Sequence, residues 1–365
     1  MRPIEERDLL PVAALTRAFF RAVNPHVEPL EFEEKWEAAS RSPLRFMRSF
    51  PQAWHVDLLD VPRSKVPGGR CLCFGDPHPA NFGVITFTVG PRYVFNDLDD
   101  SGPGLAALDA LRYFTALRLL LDDGKTLAQL MELYEDILQG NEPPRELPEA
   151  LYPDVAARDA RQLAKWIEGE AFRFEEPSLQ LSRVPDGTRQ KLCEALGRLA
   201  PQMELEVIEL AHRDRDSGGS GGLERYLLLA RERSGDGARL RLLEFKETTH
   251  AATSWSNYLH EDEDRLALAK ASIWRGLDVP YYIEVPLGRS LYVLRDRLGR
   301  ASLDVEKLAK RDQRAALEVQ VSLLARQHAE AFAGLDLRKL DDWLRESLEV
   351  TAKRWMKAYE RARKG

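Results

Sequence analysis

Between Cys71 and Asp109 the chain gathers Asp76, His78, Asn81, Asp97, Asp99, Asp100 and Asp109, residue types that can do chemistry. Asp76 and Asn81 stand five apart on a loop stiffened by Pro77 and Pro79, which rules out a helix and lets a carboxylate and a carboxamide face one small volume. Asp97 returns towards them on a hairpin that turns through Val89, Gly90 and Pro91. Oxygen ligands in such small number suit magnesium, which keeps waters and substrate phosphates in its coordination shell. A site for phosphoryl chemistry is the natural expectation. Asp and Asn beside Gly and Pro also build ordinary turns, so the combination carries more weight than any one residue.

The elements that must position these groups are short strands. CLCF precedes the Asp76 turn and RYVF precedes Asp97, each a brief apolar run bounded by turn residues, and each delivers an acid at its end. A second group of strands begins near Met203. MELEVIELAHRDR, LERYLLLARER and ARLRLLEFKETTH read as a meander joined by two glycine turns, and VPYYIEVPLG and SLYVLRD extend it to a five-stranded sheet over residues 203–298. The first turn holds Gly218, Gly219, Ser220, Gly221 and Gly222, whose unobstructed amides suit phosphates. The third strand ends on Lys246, a point charge able to meet the same phosphates.

The remaining segments read as helical. Residues 1–70 form an N-terminal extension in which Arg45 and Arg48 of SPLRFMRSF could hold an anion or pair with a carboxylate. Residues 71–202 carry the acidic loop and then about a hundred residues of helix, including VAARDARQLAKWIEGEAF and GTRQKLCEALGRLA. Residues 299–365 close the chain with the amphipathic RDQRAALEVQVSLLARQHAEAFAG and a last helix with a basic end.

A chain of 365 residues, 44% hydrophobic and 31% charged, has room for two lobes. Its formal net charge of -6 argues against a general grip on nucleic acid. Cys71, Cys73 and Cys193 cannot pair completely, and the CxC lacks a second ligand pair for a metal. No apolar run is long enough for a membrane span and MRPIEERDLL is no signal peptide, so a cytoplasmic protein is expected.

The pattern GD-x-H-x-x-N, a strand, then NDLDD and a further Asp resembles the catalytic core of aminoglycoside phosphotransferases and other protein-kinase-like enzymes. The resemblance implies that Asp76 is the catalytic-loop aspartate, Asn81 and Asp97 are metal ligands with Asp99 assisting, and Asp109 is structural. His78 is then a loop-fixing residue, and Phe74 replaces the histidine that usually precedes the catalytic aspartate. It further implies that Lys246 pairs with a glutamate of the following helix, for which Glu261 and Glu263 both qualify. The order is unusual: catalytic loop, metal motif and helices come before the nucleotide-binding strands, where kinases have them after. An α+β, two-lobed, protein-kinase-like fold with circularly permuted order is therefore expected. From SPLRFMRSF through GDPHPANFG, NDLDD, GSGG, FKE and LARQHAEAF the chain is also similar to an uncharacterised bacterial family, domain of unknown function 2252.

The function implied is ATP- and magnesium-dependent phosphoryl transfer to an unidentified hydroxyl acceptor. Three alternatives stay open: nucleotidyl (AMP) transfer on the same fold, a catalytically silent nucleotide-binding module, and a metal-dependent hydrolase built on Asp76, His78, Asp97 and Asp99.

Overall fold

The computed structural model describes residues 2–199, 205–214, 222–234, 237–257, 265–288 and 290–364. It is a mixed α+β chain whose six-stranded antiparallel sheet stands apart from a helical core.

Four short helices lead: α1 (Arg17–Ala22), α2 (Pro29–Ala39), α3 (Pro43–Ser49) and α4 (Pro51–Asp57). Proline at the first position of α2, α3 and α4 presets the helical φ where no amide partner is needed. The Ser42 hydroxyl caps α3 by accepting from the Arg45 amide at 3.2 Å. These helices bury an aromatic cluster in which the Phe20 ring lies 4.8 Å from Phe50 and 5.0 Å from Phe46. The same cluster meets Trp355 near the other end of the chain. The Ile4 amide donates to the Ser347 hydroxyl at 3.0 Å, and Arg354 Nε donates to buried Asp57 at 2.6 Å. The first and last segments are thus packed together.

Next come β1 (Arg70–Cys73), β2 (Phe82–Phe87), β3 (Gly90–Phe95) and β4 (Gly102–Leu105). β1 pairs with β4, and β2 with β3 as the expected hairpin. Helices α5 (Ala106–Leu120), α6 (Gly124–Gln139) and α7 (Val155–Trp166) follow. α7 ends sooner than its apolar spacing predicts, because Gly169 at φ +64 turns the chain into a hairpin of β5 (Ile167–Glu168) and β6 (Ala171–Phe172). Another strand, β7 (Leu181–Arg183), and helix α8 (Asp186–Leu199) precede the glycine turns.

The main sheet contains β8 (Leu205–Arg213), β9 (Arg225–Ser234) and β10 (Gly237–Thr248) as the expected meander. After α9 (Ala252–Asn257) and α10 (Arg265–Ile273), β11 (Tyr282–Leu287) and β12 (Ser290–Asp296) join it. Its order is β11-β12-β10-β9-β8-β7, six strands where five were expected. The sixth is β7, whose three residues are too few to show a period of two. Leu192, Ala195 and Leu196 of α8 pack with Leu210, Leu228 and Phe245 of the sheet, so the expected boundary at residue 202 cuts through one packed unit. The other sheet face covers Trp166, Phe172 and Leu179.

β13 (Arg300–Ser302) then crosses to pair with β2, and α11 (Lys310–His328) and α12 (Leu337–Ala362) complete the helical core. Among the described residues no helix is long and apolar enough to cross a membrane.

Candidate functional site

Asp76 sits where β1 runs into a tight loop, and that loop is pinned from several sides. Gly75 takes φ +80, and a Cβ there would overlap the Asp100 carbonyl, so only glycine lets the two acidic loops approach. Buried Asp109 on α5 accepts from the Phe74 and Gly75 amides at 2.9 and 3.0 Å. His328 at the end of α11 lies 3.0 Å from the same carboxylate through Nε2, and its Nδ1 is 2.8 Å from the Tyr134 hydroxyl. A carboxylate can only accept, so Nε2 carries a proton and donates it to Asp109. His55 Nε2 reaches the Gly75 carbonyl oxygen at 2.9 Å. Gln320 of α11 donates to the Pro79 carbonyl at 3.2 Å and to the Tyr93 hydroxyl at 2.7 Å.

The second acidic loop, Asp97 to Ser101, is held from the helix after Lys246. Arg265 on α10 donates Nη1 to the carbonyls of Leu98, Asp99 and Ser101 at 3.2, 2.9 and 2.9 Å. The Ala252 amide at the start of α9 donates to Asp100 at 2.9 Å.

Asp76, His78, Asn81, Asp97, Asp99 and Lys246 line one cavity of about 390 Å³, and Arg45 and Arg48 border it from α3. Lys246 comes from β10, far along the chain, and its Nζ pairs with Asp99 Oδ2 and stands 3.5 Å from Asp97 Oδ1. Asn81 donates its amide to the Asp76 carbonyl at 3.1 Å, which leaves its side-chain oxygen free to accept or to ligate. Asp97 Oδ1 and Asp99 Oδ1 are buried and accept no hydrogen bond. Two carboxylates with unused lone pairs and one carboxamide oxygen fit a hard divalent cation that takes its other ligands from water and phosphate. Among the described residues, no three His, Cys, Asp or Glu side chains cluster to hold a metal by themselves.

Electrostatics divide the carboxylates. Burial raises Asp76, but the Arg112 charge and the nearby His78 outweigh it and hold the carboxyl well below the usual range. Arg112 Nε donates to Asp76 Oδ1 at 2.9 Å, with Nη2 bonded to the same oxygen, while His78 Nε2 lies 3.4 Å from Oδ2. Burial lowers His78, more than its approach to Asp76 restores, so the imidazole is neutral. Burial raises Asp99 as well, but Lys246 brings it down to about 2. Asp100 differs: burial first, then the Asp76 charge, push it up to about 7.

Asp109 lies behind the cavity and shapes the loop. Gly222, at φ +80, approaches Val27 of the N-terminal segment; Gly218, Gly219, Ser220, Gly221, Glu261 and Glu263 lie outside the described residues. Arg112, Arg225, Arg265, Arg295 and His328 are residues of this site that sequence patterns do not single out. Comparison of the chain with family models, curated proteins and solved structures finds no match.

Proposed function

We propose that this cleft catalyses ATP- and magnesium-dependent phosphoryl transfer to an acceptor hydroxyl, on a circularly permuted protein-kinase-like fold. The observation that carries this function is Lys246, delivered from the sheet to Asp97 and Asp99 beside Asp76 and Asn81. The sequence resemblance to aminoglycoside phosphotransferases assigns the same residues the same roles.

Asn81, Asp97 and Asp99 would hold the magnesium ion, which supplies charge neutralisation on the phosphates. Lys246 exchanges its bonds to Asp99 and Asp97 for phosphate oxygens. Asp76, kept ionised by Arg112, accepts a hydrogen bond from the acceptor hydroxyl and points its oxygen at the γ-phosphorus. The new P–O bond forms as the bond to the β,γ-bridging oxygen breaks, ADP leaves with that electron pair, and the hydroxyl proton passes by way of Asp76 to water. Arg112 makes Asp76 a weak base, so its main contribution is positioning, as phosphoryl transfer chiefly demands.

Incubation of wild type and Asp97→Ala with γ-labelled ATP, magnesium and a bacterial extract as acceptor source tests this function. Label on an acceptor with wild type alone is expected; no transfer by wild type would count against it. Nucleotidyl transfer is the second reading, for which one observation speaks: the arginines flanking Asp97 on its other side offer phosphates a further seat, and the seat taken decides which phosphate faces Asp76. In that case α-label, and not γ-label, stays on the acceptor.

A further inference from the structure

A second hollow, of about 210 Å³, shares Asn81, Asp97 and Arg295 with the cleft but opens onto Arg158, Arg297 and Arg300. It is lined by four guanidiniums, Arg158, Arg295, Arg297 and Arg300, and by three carboxylates, Asp97, Glu244 and Asp296, of which Asp296 is already paired with Arg241. Buried Glu244 takes three guanidiniums by itself, from Arg225 at 3.1 Å and from Arg295 and Arg297 at 2.8 Å each. Arg300 bonds the Asn96 carbonyl and lies 5.4 Å over the Tyr282 ring, and among the described residues it has no carboxylate at ion-pair distance. Among the described residues Arg158 has only Asp159, 3.9 Å away. Arg158 Nη1 and Arg297 Nε are buried and donate to nothing. The Trp166 ring meets both Arg297 at 5.8 Å and Arg213 at 4.8 Å, so even the neighbouring aromatic is shared between two cations.

Titration divides these side chains: burial lowers Arg158, whereas at Arg295 burial is outweighed by Glu244, Asp97 and Asp99, which raise it. Burial and then Arg297 bring Arg213 down to about 10, and burial and then Arg295 lower Arg300. Crowded guanidiniums with unmade hydrogen bonds destabilise a fold unless something offsets them, and a bound anion is the direct means. The donors arrive from α7, from the segment after β12 and from β13, three directions that match a tetrahedral oxyanion better than a planar one. A purine, flat and largely apolar on its faces, finds no complementary surface among them.

We infer that this hollow is a phosphate site, seating a second phosphate of the polyphosphate ligand whose adjoining phosphate is held at Asn81 and Asp97. The inference rests on the proposed function only for what Asn81 and Asp97 hold. The arginine site itself stands on its own charges, so it is tested with inorganic pyrophosphate, without nucleotide or magnesium.

Calorimetric titration of pyrophosphate into wild type, Arg158→Ala, Arg300→Gln and Arg48→Ala distinguishes the two flanks of the cleft, each variant first checked for a native circular dichroism spectrum. Arg158 sits partly exposed on a helix, so its truncation leaves the fold intact even if Arg300→Gln does not. Binding weakened about tenfold or more in Arg158→Ala or Arg300→Gln, whichever is folded, and little changed in Arg48→Ala, is expected from the loss of a charge-assisted bond. No binding by wild type, or a loss confined to Arg48→Ala, would overturn it. Failure of the proposed function shows separately, as ATP stabilisation that ignores magnesium and Asp97.

Discussion

Arg112 of α5 and Asp76 of the first acidic loop form a buried pair, with Nε 2.9 Å from Oδ1 and both side chains almost wholly removed from solvent. Arg112→Gln would leave a buried carboxylate without its cation, which costs about 3–5 kcal/mol. Urea unfolding of the variant is expected to show a loss of this size. An unchanged midpoint would mean that His78 and solvent hold Asp76 without help.

Asp76→Asn keeps the shape of the loop but cannot draw a proton from an acceptor. Turnover is expected to fall roughly 100- to 10,000-fold, while magnesium-dependent nucleotide binding persists. Retention of full turnover would show that another group, with neutral His78 the nearest, orients the hydroxyl.

Gly75 holds φ +80 against the Asp100 carbonyl. Gly75→Ala combines left-handed strain with a backbone overlap and is expected to destabilise by about 1–3 kcal/mol or more, and to loosen both acidic loops. Thermal unfolding together with amide exchange at Ser101 and Asn81 measures this.

Much of the site was legible because its chemistry rides on strand ends. Asp76 and Asp97 follow short apolar strands and Lys246 lies near the end of another, so their types and positions could be read. Arg112 could not be, since an arginine within an amphipathic helix looks like any surface cation until tertiary packing buries it. Glu244 was hidden for the same reason: alternation along β10 does not reveal that three arginines from other segments converge on it. The end of α7 at Trp166 was missed because WIEGEAF keeps an apolar rhythm through a glycine that in fact reverses the chain. His328 takes up Asp109 from a distant helix, and sequence separation conceals such a bond altogether.

Asp100 gives a pH signature in the protein free of nucleotide and metal. Its folded value of about 7 lies above that of an unfolded aspartate, so the folded state holds the proton more tightly. The stability this contributes is fully present below about pH 4 and is lost as pH rises through about 7. Asp100→Asn cannot ionise. Its gain in Tm over wild type is expected to be smallest near pH 4, to grow with pH, and to level off above about 7. A constant difference across that range would place the titration elsewhere.

The most direct measurement is thermal unfolding with ATP and magnesium, each alone and together, in wild type and Asp97→Ala. If Asn81, Asp97, Asp99 and Lys246 form a magnesium nucleotide site, wild type is stabilised by about 2.7 kcal/mol when the ligand exceeds Kd a hundredfold. That stabilisation requires both components and disappears in Asp97→Ala, whose own Tm stays near that of wild type. No shift at millimolar ATP with magnesium, or the same shift in Asp97→Ala, would contradict the assignment of this cleft.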